Sequence, residues 1–154
     1  MLDVPRITTT AAQLTAVIHL TIPRVEIRNV MGPGLAELKA AIATQGIAPT
    51  GPWFTHHLRM DPLVFDFEIC LPVTKPVGAA GRMKPGQLHA TTVARTVYHG
   101  DYQGLAAAWG EFDGWIAANG HKPRGDLWEC YLVGPESSPN PGDWRTELNR
   151  PLIV

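Results

Sequence analysis

Gly120-His121-Lys122-Pro123-Arg124-Gly125-Asp126-Leu127-Trp128-Glu129-Cys130-Tyr131-Leu132-Val133 joins a turn to a strand, and its turn half occurs twice in the chain. Gly46-Ile47-Ala48-Pro49-Thr50-Gly51 repeats the pattern G-x-x-P-x-G, and the stretch Trp53 to Met60, which reads as a strand, follows it. Working outward, Gly34-Leu35-Ala36 matches Gly104-Leu105-Ala106 on the N-terminal side of each turn. Such fixed-order matches mark an internal repeat. Each half reads strand, helix, strand, strand, with repeat 1 over about 13–73, a linker over 74–87 and repeat 2 over about 88–151. The expected fold class is α+β: duplicated strand-helix-strand-strand units forming an antiparallel sheet with helices packed on it, in a single domain over 1–154. A ligand groove is expected at the pseudo-twofold junction.

The local signals are of different kinds. Leu14, Ala16, Ile18 and Leu20 alternate with Thr15, Val17, His19 and Thr21, a strand pattern that Pro23 closes. Met31-Gly32-Pro33-Gly34 is read as a helix opening, with Leu35, Leu38 and Ile42 at helical spacing up to Gly46. Trp53–Met60 and Leu63–Val73 read as two strands joined by a hairpin at Asp61-Pro62. Lys75 to Gln87 is a connection by its glycines and prolines. Leu88 to His99 reads as one long strand, after which Asp101 is placed to cap the second helix. Leu105, Trp109, Phe112 and Ile116 form one stripe on that helix and read as core.

In the strand after the second turn, alternation puts Leu127, Glu129, Tyr131 and Val133 on one side. Trp128, Cys130 and Leu132 fall on the other, which reads as plain core. Glu129 is the odd residue, because a carboxylate inside a sheet is costly unless it is paired, hydrogen-bonded or awaiting a cation. The alternative is an edge strand with Glu129 in water. In the repeat register Thr55 stands where Glu129 does and His57 where Tyr131 does.

Composition narrows the partners. In 154 residues, 45% are hydrophobic and 18% charged, and the formal net charge is −1. That balance offers no general attraction to phosphate or anionic lipid, so neither nucleic acid nor a membrane is expected as partner. Cys70 and Cys130 form no CxxC pair, and no targeting segment is read at the N-terminus, so a cytoplasmic location is expected. His56 and His57 adjoin, but adjacent strand residues face opposite ways and no HExxH helix completes a zinc set, so no metal and no cofactor are expected.

The second half, from Tyr98-His99-Gly100-Asp101-Tyr102 through Trp109 and Trp115 to Trp128-Glu129-Cys130-Tyr131, Pro135 and Pro151, resembles the GyrI-like small-molecule-binding family. That family includes the effector-binding domains of AraC-type and MerR-type multidrug regulators. The resemblance implies a cleft with a buried glutamate, at Glu129, that pairs with amphipathic cationic drugs enclosed by aromatic rings. No DNA-binding segment is read ahead of the first strand, so a stand-alone binding domain for hydrophobic or cationic small molecules is expected. Its candidate ligand-binding residues are Glu129, Tyr131, Tyr102, Tyr98, Trp53, His57 and Glu68. Stand-alone members imply alternatives. One is a hydrolase opening strained cyclopropane rings, with Glu129 as general base and Tyr131 as general acid. The others are a gyrase-inhibitor-like protein-interaction module and a haem protein of the related SOUL architecture, with His57 or His99 as axial ligand. The oligomeric state is not legible in the sequence.

Overall fold

The computed structural model describes residues 1–154, which divide into two compact units, Ala11–Ala90 and Met1–Thr10 with Thr91–Val154. In the first, β2 (Gln13–Pro23) leads through a 3-10 turn into α1 (Ile27–Thr44), then β3 (Phe54–Met60), β4 (Val64–Pro72) and β5 (Lys84–Leu88). Its strand order is β3-β4-β2-β5, and the pairings within it are antiparallel. The second unit contains β1 (Arg6–Thr9), β6 (Thr92–His99), α2 (Leu105–Ala118), the two-residue β7 (Lys122–Pro123), β8 (Leu127–Val133) and β9 (Arg145–Ile153). Here the order is β8-β9-β6-β1, with β7 beside the end of β9, and again the pairings are antiparallel.

The two units are built on one plan, and the match reaches individual hydrogen bonds. After α1, Gly46 has φ 69°, its N–H donates to Ala43 O at 3.0 Å, and the Ile47 N–H donates to Ile42 O at 3.0 Å. After α2, Gly120 has φ 76°, and the N–H groups of Gly120 and His121 donate to Ala117 O and Ile116 O at 3.0 and 3.1 Å. Both helices therefore end in the same left-handed glycine cap, a conformation that a side chain would strain. Both central hairpins also shift register at matching points, between His57 and Arg59 and between Tyr131 and Val133.

Three local expectations change. The segment read as a linker ends in β5, which pairs along β2, and the run from Leu88 to His99 is broken between β5 and β6. Residues 6–9, read as no element, form β1 on the edge of β6. Edge pairing is made by backbone groups, so neither strand needs an apolar alternation to announce it. Finally, α1 begins at Ile27 and carries Pro33 inside it. An interior proline costs about 3 kcal/mol. Ile27, Val30 and Met31 pack on the core of this unit and hold the first turns in place.

Each helix covers one face of its own sheet. In the first unit Leu35, Leu38 and Ile42 of α1 meet Ala16, Ile18, Phe67, Ile69 and Leu71. In the second, Ala108, Phe112 and Ile116 of α2 meet Ala94, Tyr98, Leu148 and Leu152. The stripe expected to be core is so at Phe112 and Ile116, whereas Leu105 and Trp109 are only half-buried. No helix is long and apolar enough to cross a membrane. Both thiols are pushed up by burial, Cys130 to about 12, which leaves them protonated and unreactive.

At the β3–β4 hairpin, His19 Nε2 lies 2.5 Å from Asp66 Oδ1, Arg59 Nε donates to Asp66 Oδ2 at 2.9 Å, and the Thr21 hydroxyl donates to Oδ1 at 3.2 Å. His19, then Arg59, hold the Asp66 carboxyl below its ordinary value of 3.8. The sign follows from linkage: a depressed carboxyl stabilises the fold above the unfolded value, and that contribution is lost as pH falls through the folded value. Thermal melts at pH 6 and pH 3 should therefore show a smaller acid-induced drop in Tm for Asp66→Asn than for the wild type. An equal drop would exclude this network as a source of acid sensitivity.

Candidate functional site

Glu129 sits on β8 in register with Leu148 of β9 and Thr96 of β6, on the face that α2 covers. Its carboxylate is fixed at both ends by neutral aromatic donors. The Trp109 indole N–H donates to Oε2 at 2.7 Å, and the Tyr131 hydroxyl donates to Oε1 at 2.8 Å. Charge-assisted bonds of this kind are the strong ones. Neither donor carries a formal charge.

One more aromatic ring, Tyr102, meets Tyr131, and a further one, Trp144, meets Tyr102 in turn. Tyr102, in the 3-10 turn before α2, meets Tyr131 edge-on at 5.8 Å and lies 4.9 Å from Trp144. The turn is set by Asp101, whose side chain accepts from the Gln103 N–H at 2.8 Å, so Asp101 caps this turn rather than α2 itself, whose N-cap is Gly104. Trp144 is fixed in turn by its indole N–H, which donates to Ser138 O at 3.0 Å. Burial pushes the Tyr102 hydroxyl well up, and the Glu136 and Glu129 carboxylates push it further. Tyr102 is therefore a neutral donor at any working pH. Tyr98 belongs to the row Tyr98–Thr146–Tyr131 across β6, β9 and β8, but its hydroxyl donates to the Asp101 carbonyl at 2.8 Å and its ring packs in the helix core. A side chain on Gly104 would collide with that hydroxyl, so only glycine fits there.

The remaining candidates belong to the unit Ala11–Ala90. Trp53 is half-buried against the α1 core. His57 is buried, hydrogen-bonded to Thr55 across 3.2 Å, stacked on Phe67 at 5.2 Å and edge-on to Phe65 at 5.4 Å. Glu68 pairs in register with His19 and His56, so it occupies the face opposite to His57, and its Oε1 lies 3.7 Å from His56 Nδ1. His57 and Glu68 therefore do not converge. His99 Nε2 is engaged by Asp3 Oδ1 at 2.7 Å.

Two sequence expectations are corrected in this region. Trp109, read as core, is a donor to Glu129. Leu132, read as core, is 41% exposed, because the register shift after Tyr131 turns it outward. Trp144 and Thr146 carried no signal of their own. A separate groove of about 280 Å³ runs between Leu2–Pro5 and the Glu111 and Trp115 side chains of α2, and none of Glu129's neighbours lines it.

The C-terminal domain of EcmrR superposes with a TM-score of 0.83 at 19% identity, over 97% of this chain and 96% of that one. In an EcmrR–DNA complex the chain spans 57% of the matched protein, at 20% identity and a TM-score of 0.83 over 98% of this chain. SAV2435, solved bound to tetraphenylphosphonium, matches at 10% identity and a TM-score of 0.66, over 98% of this chain and 94% of that one. A hydrolase from Listeria innocua matches at 12% identity and a TM-score of 0.66, over 97% and 91%. No curated protein matches in sequence. The description of the GyrI-like small molecule binding domain fits residues 4–152, nearly the whole length. The chain belongs to the GyrI-like small-molecule-binding domain family.

Proposed function

We propose that this domain binds hydrophobic organic cations, with the charge against Glu129 and the ligand's rings against Tyr131, Tyr102, Trp109 and Trp144. The observation that supports this most is a carboxylate held at both oxygens by neutral aromatic donors. Such an arrangement orients negative charge without spending it on a protein cation, and aromatic faces attract cations as well as apolar surface. Titration calorimetry with tetraphenylphosphonium tests it on the wild type and on Glu129→Gln, which keeps the shape and removes the charge. Binding is expected to collapse in the variant.

A second reading rests on the 2.8 Å contact between the Tyr131 hydroxyl and Glu129. In a hydrolase of strained electrophiles, Glu129 would deprotonate a water while a tyrosine hydroxyl donated to the leaving atom. Incubation of a cyclopropane-bearing alkylator in labelled water separates the readings. A hydrolase places the label in the new hydroxyl at a rate proportional to protein concentration, and Glu129→Gln abolishes it. A binder leaves the compound intact.

A further inference from the structure

Thr146 is fully buried, and its hydroxyl oxygen has no hydrogen-bond partner. It lies on β9 between Tyr98 and Tyr131, on the same face as Glu129. Leaving a buried hydroxyl unpaired forfeits its hydration with nothing in return. The repeat shows that the fold does not require a hydroxyl there. In the other unit the equivalent row is Leu20–Phe67–His57, and the fully buried Phe67 ring stacks against His57. One copy of the plan thus closes this position with aromatic packing, while the other keeps a polar atom in the cross-strand row next to that of Glu129.

A second unpartnered hydroxyl adjoins the same ring. The buried Tyr102 oxygen has no hydrogen-bond partner, and the Tyr102 ring abuts Tyr131 edge-on. We propose that Thr146, with Tyr102, forms a neutral hydrogen-bonding subsite beside Glu129, and that Thr146 determines specificity. The favoured ligand then carries a carbonyl, ether or hydroxyl oxygen next to its cationic, apolar body. This inference rests on the cation-binding reading of Glu129 and adds a requirement to it.

Tetraphenylphosphonium has no hydrogen-bonding group, so it isolates the charge from the subsite. The probes are this cation and triphenylphosphonium analogues bearing a hydroxy, methoxy or acetyl group on one phenyl ring, titrated against wild type, Thr146→Val and Tyr102→Phe. Valine keeps the shape of threonine and removes the hydroxyl. At least one substituted probe should bind the wild type about three- to tenfold more tightly than the parent, the size of one neutral hydrogen bond. That advantage should vanish in Thr146→Val and shrink in Tyr102→Phe, while Thr146→Val changes parent affinity less than about twofold. The ligand-free Thr146→Val protein should also melt at a higher temperature, because an unpaired hydroxyl has gone.

Loss of affinity for parent and substituted probes alike would assign Thr146 to packing and overturn the proposal. So would a substituent advantage that survives in Thr146→Val, no substituent advantage in the wild type, or a lowered Tm. Failure of the underlying reading looks different: tetraphenylphosphonium then binds Glu129→Gln as well as wild type, or binds neither. The Tm of Thr146→Val still decides whether its hydroxyl is unpaired.

Discussion

Glu129→Gln is expected to weaken tetraphenylphosphonium binding by roughly thirtyfold to several thousandfold. The lower figure corresponds to about 2 kcal/mol and the upper to about 5 kcal/mol, the usual cost of truncating one partner of a desolvated charge pair. Glutamine preserves the side-chain volume and an oxygen for the Trp109 or Tyr131 donor, so the change isolates charge from shape. Tetraphenylborate supplies the converse control, since it has nearly the same form and the opposite sign. It should be rejected by the wild type and tolerated better by the glutamine variant. Partly enclosed charges are little screened by salt, so the ratio between the two proteins should persist from low to moderate ionic strength. A change in phosphonium affinity below about threefold would remove Glu129 from the binding role.

The second large effect concerns stability. Phe112→Ala should destabilise the protein by about 3–5 kcal/mol in urea denaturation, because it deletes a fully buried ring and leaves a cavity under α2. Ile116→Val, one helical turn further on, should cost only about 0.5–1.5 kcal/mol, since one methylene is lost there. Trp109 lies 5.8 Å from Phe112 and shares its stripe, yet it is half-buried and its indole N–H is committed to Glu129. Trp109→Ala should therefore destabilise less than Phe112→Ala while impairing cation binding, which Phe112→Ala leaves intact wherever the protein remains folded. A Phe112→Ala cost below about 1 kcal/mol would contradict the burial that places this residue at the centre of its unit.

The contrast between Phe112 and Trp109 shows where sequence reading stops. Periodicity places both residues on one helical face, but it carries no information about how far along that face the covering sheet extends. The same limit applies to Leu132, whose outward turn depends on a register shift relative to β9. Strand alternation assumes an unbroken ladder, and a bulge is a property of two strands together.

Conditions met within a few neighbouring residues were legible in the chain itself. The glycine caps at Gly46 and Gly120, the Asp101 cap, the hairpin at Asp61-Pro62 and the two-unit repeat all follow from local backbone preferences and short-range patterns. Glu129 also stood out locally, because a charge amid alternating apolar residues needs a reason. Only the tertiary structure decided what surrounds it. Trp109 and Thr146 come from other elements, as does Trp144 against Tyr102, and the approach of Trp109 to Glu129 and of Thr146 to Tyr131 is set by packing and cross-strand register. Likewise β1 joins β6 and β5 joins β2 through backbone hydrogen bonds, which are nearly the same for every residue and leave no trace in the order of side chains.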